Sequence, residues 1–132
     1  MAKTTGLAMS WEEWSRKDGI ALADLVKKKK VSAREVARQV AAGVARLNPK
    51  LEGVLEVFED VVKNPDTDKP AKDGRLYGVP IFLKDLGSGL KGRKRESGTR
   101  FDKDQVAKET DPNILNFLSA GLVPIEIGRA HV

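Results

Sequence analysis

One lysine and a few hydroxyls near it mark where this sequence could do chemistry. Lys84 and Asp85 directly follow the apolar run Val79 to Leu83, which Gly78 and Pro80 bound at its start. A run that short, with Gly and Pro at its edge, predicts a buried strand rather than a helix. An ammonium and a carboxylate at the end of a core strand stand where ligands and reacting groups gather in open α/β sheets. Burying a lysine stem there favours the neutral form, and a neutral lysine can serve as a base. The plainer reading is a strand end meeting solvent, its two charges lightly paired; on spacing alone that reading is the stronger. Ser88, Ser97 and Thr99 are the hydroxyls near Lys84 in sequence. A Ser–Lys dyad would need one of them, although hydroxyls in such Gly-rich stretches more often serve the turn's own hydrogen bonds. Other chemistries are closed. The chain has no cysteine, hence no disulfide and no thiolate metal site, and His131 is its sole histidine. A His-based triad or a zinc site cannot be built.

The elements that must position Lys84 are legible on either side of it. Downstream, Gly87 to Gly89 and Ser97 to Thr99 bracket a flexible basic loop. Asp111-Pro112 then starts a helix, with Asp at the N-cap and Pro in the first turn. Ile114, Leu115 and Leu118 face the core, Gly121 stops the helix, and Leu122 to Ile125 begin another strand. Strand, loop, helix, strand is the order of a βαβ unit with parallel strands. Upstream, residues 1–10 read as a polar, frayed terminus, and Ser10 caps a short turn carrying Trp11 and Trp14. A helix from Asp18 with Ile20, Leu22, Leu25 and Val26 closes at Lys27 to Lys30. Ser32 and Glu35 form a capping box. It opens a helix with Val36, Ala37, Val40, Ala41, Val44 and Leu47 on one face, ended by Asn48-Pro49. Val54 to Phe58 leans to strand, Glu59 to Val62 to a helical turn, and residues 63–70 to a loop.

A chain of 132 residues allows one domain with a modest core. Its 40% apolar and 33% charged residues fit a globular protein, and no apolar run reaches membrane-spanning length. The expected location is the cytoplasm. The net charge of +5 gathers in Lys27 to Lys30 and in Lys91, Arg93, Lys94 and Arg95. A basic nucleic-acid-binding module would use such clusters on phosphates. No aromatic interleaves with either, so solvated surface is the preferred reading and no nucleic-acid or membrane partner is expected.

The segment Gly74-Arg-Leu-Tyr-Gly-Val-Pro-Ile-Phe-Leu-Lys-Asp-Leu86, then Glu96-Ser-Gly-Thr-Arg-Phe101, then Asp111 to Ile125, resembles the N-terminal part of the amidase signature family. The resemblance runs roughly from Gly19 to Ile125, and the Lys-Asp strand is its most specific part. It implies an α/β fold: the N-terminal part of an α/β/α sandwich with a mixed central sheet, ending before the sheet is complete. It also implies a serine hydrolase with a Ser–cis-Ser–Lys triad acting on carboxamide bonds, in which Lys84 is the catalytic lysine. No metal or organic cofactor is implied. The partner would be a small-molecule amide, with a homo-oligomer open for the intact enzyme. The Lys-Asp-Leu-Gly and Ser-Gly-Thr-Arg-Phe stretches look closer to general amidases, including those acting on cyclic amide dimers, than to the A subunit of tRNA-dependent amidotransferases. Neither triad serine falls in the matching stretch, so the chain as given is expected to be inactive. Residues 1–18 form a polar segment with a short helix, and 19–125 the amidase-like part. Residues 126–132, which match one reading frame of a common sequencing adapter, are expected to be a non-native tail.

Overall fold

The computed structural model describes residues 6–87 and 89–130. Its N-terminal helices begin where the sequence caps them. Ser10 Oγ accepts from Glu13 N at 3.1 Å and opens α1 (Trp11–Trp14). Asp18 Oδ1 accepts from Ala21 N at 2.8 Å and opens α2 (Gly19–Lys27). Ser32 and Glu35 close both bonds of the capping box and open α3 (Ala33–Leu51). Each cap satisfies a first-turn N–H that has no helical acceptor. The expectation of a frayed terminus fails at Met9, which is buried. Its backbone N donates to Gln39 Oε1 at 3.0 Å, and its carbonyl accepts from Gln39 Nε2 at 3.1 Å. The fully buried amide of Gln39 thus clips this segment to α3.

Helix α3 outruns the expected stop at Asn48-Pro49. Pro49 lies in its last turn, where a missing N–H costs one helical bond rather than a series. The exit is made by Asn48, whose side chain donates to Val54 O and accepts from Val54 N, both at 2.9 Å. Strand β1 (Val54–Val57) follows, then α4 (Glu59–Lys63), with buried Phe58 between them. Leu47, expected in the core, is half-exposed because the end of α3 carries it into an open groove rather than onto the sheet.

Strand β2 (Pro80–Lys84), α5 (Pro112–Ser119) and β3 (Val123–Gly128) form the expected strand–helix–strand order. The sheet order is β1-β3-β2; β3 runs parallel to β2 and antiparallel to β1, so the sheet is mixed. In the β2–β3 pairing, Ile81 meets Pro124 but Phe82 meets Glu126, which leaves Ile125 as an extra residue. That bulge lets neighbouring side chains of β3 serve two cores. Val123 and Ile127 join Leu83, Phe58, Leu90, Ile114 and Leu118. Ile125 joins Ala37, Val40 and Val62 beneath α3. Ile114 and Leu118, one turn apart, fill the inner face of α5. Leu115, rotated away from them, is half-exposed, contrary to expectation. A Cβ at Gly121 would lie 2.6 Å from Tyr77 N, and φ there is +91°, so only glycine lets α5 turn into β3 at this contact.

Candidate active site at the ends of strands β2 and β3

Pleating decides what the Lys-Asp pair does. Leu83 points into the core, Lys84 is turned out and exposed, and Asp85 turns back in and is only 2% exposed. The two charges therefore leave the strand on opposite faces, and no ion pair joins them among the described residues. The strand-end surface pair is not formed, and neither is a buried lysine stem. Asp85 is the residue that sequence reasoning undervalued. Its backbone N donates to Gly128 O at 2.9 Å, prolonging the β2–β3 ladder. Its carboxylate accepts from Glu96 N at 2.8 Å and from Gly98 N at 3.3 Å. Between those amides Ser97 adopts a left-handed φ of 54°. Glu96 Oε1 in turn accepts from Asp104 N at 2.7 Å. One buried carboxylate thus folds residues 96–104 over the carboxyl ends of two parallel strands. The signal available in sequence was a carboxylate after a core strand, with a Ser-Gly turn 11–13 positions later.

The rest of the loop is held by charge. Arg93 donates to both oxygens of Asp60 at 2.9 Å and to Asp68 at 3.0 Å, and its guanidinium lies 4.2 Å above the Phe58 ring. The Arg93 hydrogen bonds hold the Asp60 carboxyl below its ordinary range. Asp111 was expected to cap α5 with its side chain, but it makes no such bond. Its carboxylate instead accepts from Gly89 N at 2.7 Å, while its own N donates to Gly89 O at 2.8 Å. Arg95 lies 3.6 Å from Asp111, and Lys94 4.0 Å from Glu56. Arg93, Lys94 and Arg95 of the second basic cluster thus have acidic partners within the molecule, although only Arg93 is largely withdrawn from solvent; Lys91, Lys94 and Arg95 are exposed, as are Lys27 to Lys30.

Of the three candidate hydroxyls, Ser88 lies outside the described residues, as does His131. Thr99 Oγ1 accepts from Phe101 N at 3.0 Å and Asp102 N at 3.4 Å, the turn role expected of it. No hydrogen bond joins Ser97 or Thr99 to Lys84 among the described residues. A cleft of about 390 Å³ opens at this end of the sheet, between Leu55, Asp85, Glu96, Arg100, Lys103 and Arg129. It has room for a small ligand and a mixed-charge wall. Among the described residues no group of three His, Asp or Glu side chains is placed to hold a metal, and no helix is long and apolar enough to cross a membrane.

A second carboxylate lies in the stretch 126–132 expected to be a tail, the first three residues of which continue β3. Glu126, on β3, is fully buried, and neither carboxylate oxygen has a hydrogen-bond partner among the described residues. Burial pushes its carboxyl up to about 7.

No protein-family model matches the chain. It is 32% identical over 133 aligned residues to the lipoamidase of Enterococcus faecalis; the match takes in 92% of this chain and 18% of that protein's length. In fold it resembles 6-aminohexanoate cyclic dimer hydrolase, with a TM-score of 0.74 at 24% identity, over 85% of this chain and 23% of that one. It likewise resembles a bacterial aryl acylamidase of the amidase signature family, with a TM-score of 0.72 at 23% identity, over 85% of this chain and 25% of that one. The strand that carries Lys84, its parallel neighbour and the helix between them thus sit in a shared architecture. By this sequence match and this fold, the chain belongs to the amidase signature family.

Proposed function

We propose that this chain carries the lysine-bearing part of an amidase that hydrolyses carboxamide C–N bonds by acyl transfer to serine. The observation that carries the reading is the match of 92% of the chain to a lipoamidase. Lys84, at the carboxyl end of parallel strand β2, supports it. In the acyl transfer, a nucleophilic serine attacks the amide carbonyl and gives its proton to a cis-peptide serine, which passes it to neutral Lys84. The C–N bond then breaks, the amine leaves with a proton returned along the same relay, and water hydrolyses the acyl-enzyme. A lysine acts this way only when neutral, which desolvation favours. The described residues leave Lys84 exposed, so covering by further protein is part of the proposal. The substrate is a small-molecule amide of the kind general amidases take rather than a tRNA-bound amide. The setting is cytoplasmic, without a nucleic-acid or membrane partner.

In this reading both serines and the oxyanion-hole amides come from protein other than these 132 residues, and each oxyanion donor is worth roughly 3 kcal/mol of barrier. The 132-residue chain alone is therefore expected to show no amide hydrolysis and no labelling by a fluorophosphonate probe. Reading the source gene onward from the codon for Ile125 tests the proposal. A Gly/Ser-rich segment in the same frame, on a product that the probe labels, is the expected result. A continuation without such a segment would sink it.

A further inference from the structure

Lys84 carries its amine on a flexible four-carbon stem, so any play in the backbone at its root is magnified at the nitrogen. A lysine that takes a proton from a hydroxyl must bring that nitrogen within hydrogen-bond reach of it, so the root of the stem has to be held. Strand β2 ends at Lys84, and the residue that follows is Asp85, only 2% exposed.

The seat of Asp85 is built from the loop. Glu96 N donates to Oδ1 at 2.8 Å and Gly98 N to Oδ2 at 3.3 Å, one amide to each oxygen. Ser97 stands between them at a φ of 54°. Amides on either side of a left-handed residue form a concavity that takes an anion, and here the anion is a side chain of the chain itself. The turn is braced from behind: Thr99 N donates to Glu96 O at 3.0 Å, Thr99 Oγ1 accepts from Phe101 N, and Glu96 Oε1 accepts from Asp104 N. A carboxylate presents two acceptor oxygens and no donor, so one residue holds both amides. Such charge-assisted bonds are about twice as strong as neutral ones.

Resting on the amidase reading, we propose that Asp85 is the residue that positions Lys84: its carboxylate, seated in the Glu96–Gly98 turn, fixes the end of β2 so that the lysine leaves the opposite face at one angle. The pleat carries the effect. With Asp85 drawn inward Lys84 is turned out, and no residue lies between them to absorb movement. Both carboxylate oxygens are taken by amides, so Asp85 acts through Lys84 rather than on the substrate. Support of this kind, behind a reacting side chain, is what keeps such a group in its productive geometry. Emptying the seat leaves two amides without their acceptor, and the freedom the turn gains passes to the lysine amine.

An amidase-length protein that carries this chain, labelled with a fluorophosphonate probe over a range of probe concentrations, tests this. A misplacement of about 1 Å costs about a hundredfold in rate, so Asp85→Ala should lower the maximal labelling rate by about that factor while the half-saturating probe concentration stays within about threefold. Sodium formate, the size of the group removed, should restore most of that rate in Asp85→Ala, saturably, and leave the parent unchanged. Asp85→Asn keeps the volume and one acceptor oxygen; it should lose less than Asp85→Ala and gain nothing from formate. That variant carries the test if Asp85→Ala does not unfold cooperatively. Labelling of either folded variant at the parent's maximal rate would overturn the proposal. So would a loss confined to the half-saturating concentration, or a loss in Asp85→Ala that formate leaves unmended. A parent that takes no label, or a Lys84→Ala protein that labels as fast as the parent, would instead remove the amidase reading and the proposal with it.

Discussion

Two carboxylates lie buried on neighbouring strands, and they behave as opposites. Asp85, at the end of β2, accepts from two backbone amides and folds a loop around itself. Glu126, in the middle of β3, is just as buried and accepts from no donor among the described residues. Burial is common to both, so partners make the difference between a carboxylate that organises a site and one that opposes its own strand. Substitution should therefore change stability in opposite directions at the two positions.

The largest expected effect is at Asp85. Asp85→Ala strips the acceptor from Glu96 N and Gly98 N and should cost about 3 kcal/mol, the range for losing buried hydrogen bonds to a charged group. Denaturation would give the total, and amide exchange should show Glu96 and Gly98 losing protection before the core strands do. Next comes the opposite sign. Glu126→Val should stabilise the chain by about 2 kcal/mol at pH 8, since an apolar side chain replaces an unpaired acid among apolar neighbours. A destabilised Glu126→Val would mean that Glu126 has a favourable partner after all. Arg93→Met falls between surface and core. The guanidinium is largely buried, but Asp60 is half-exposed and solvent-screened, so a loss of about 1 kcal/mol is expected.

The same pair of regions predicts a stability maximum in mildly acid solution. Asp60 is held below its ordinary 3.8 by Arg93, so its contribution is present above that value and is lost as pH falls. Glu126 contributes in the other direction and is lost as pH rises towards about 7. The urea midpoint should peak near pH 5 and fall on both sides. In Arg93→Met only the acid-side fall should shrink.

What could be read from sequence follows from how local each cause is. The capping box of Ser32 and Glu35, and the strand ending at Lys84, are decided by residues within a few positions of each other, and both are present as expected. The end of α3 was misread because Pro49 is accommodated in the last turn and the chain leaves the helix only at Glu52, in the left-handed region, with Asn48 bonded to Val54 across that turn. Asp111 looked like a helix cap because its position suits one; its carboxylate is diverted to Gly89, 22 residues away. Glu126 was read as the first residue of a tail, because the expected strand ended at Ile125; in the fold it continues the middle strand. The parallel neighbour of β2 could be expected, but its adjacency had to come from the sheet.

Lys84 should be the quiet position for stability. It is exposed and unpaired with Asp85, so Lys84→Ala should shift the stability of the chain by no more than about 0.5 kcal/mol. That neutrality makes it the place to test the functional reading. The decisive measurement is fluorophosphonate labelling of an amidase-length protein that carries this chain, with Lys84 intact or replaced by Ala. The account predicts a labelled serine beyond residue 125 in the parent, and labelling abolished or severely reduced in a Lys84→Ala protein that still unfolds cooperatively. Undiminished labelling and amide hydrolysis in Lys84→Ala would contradict it, and would leave the lysine an ordinary charge at a strand end.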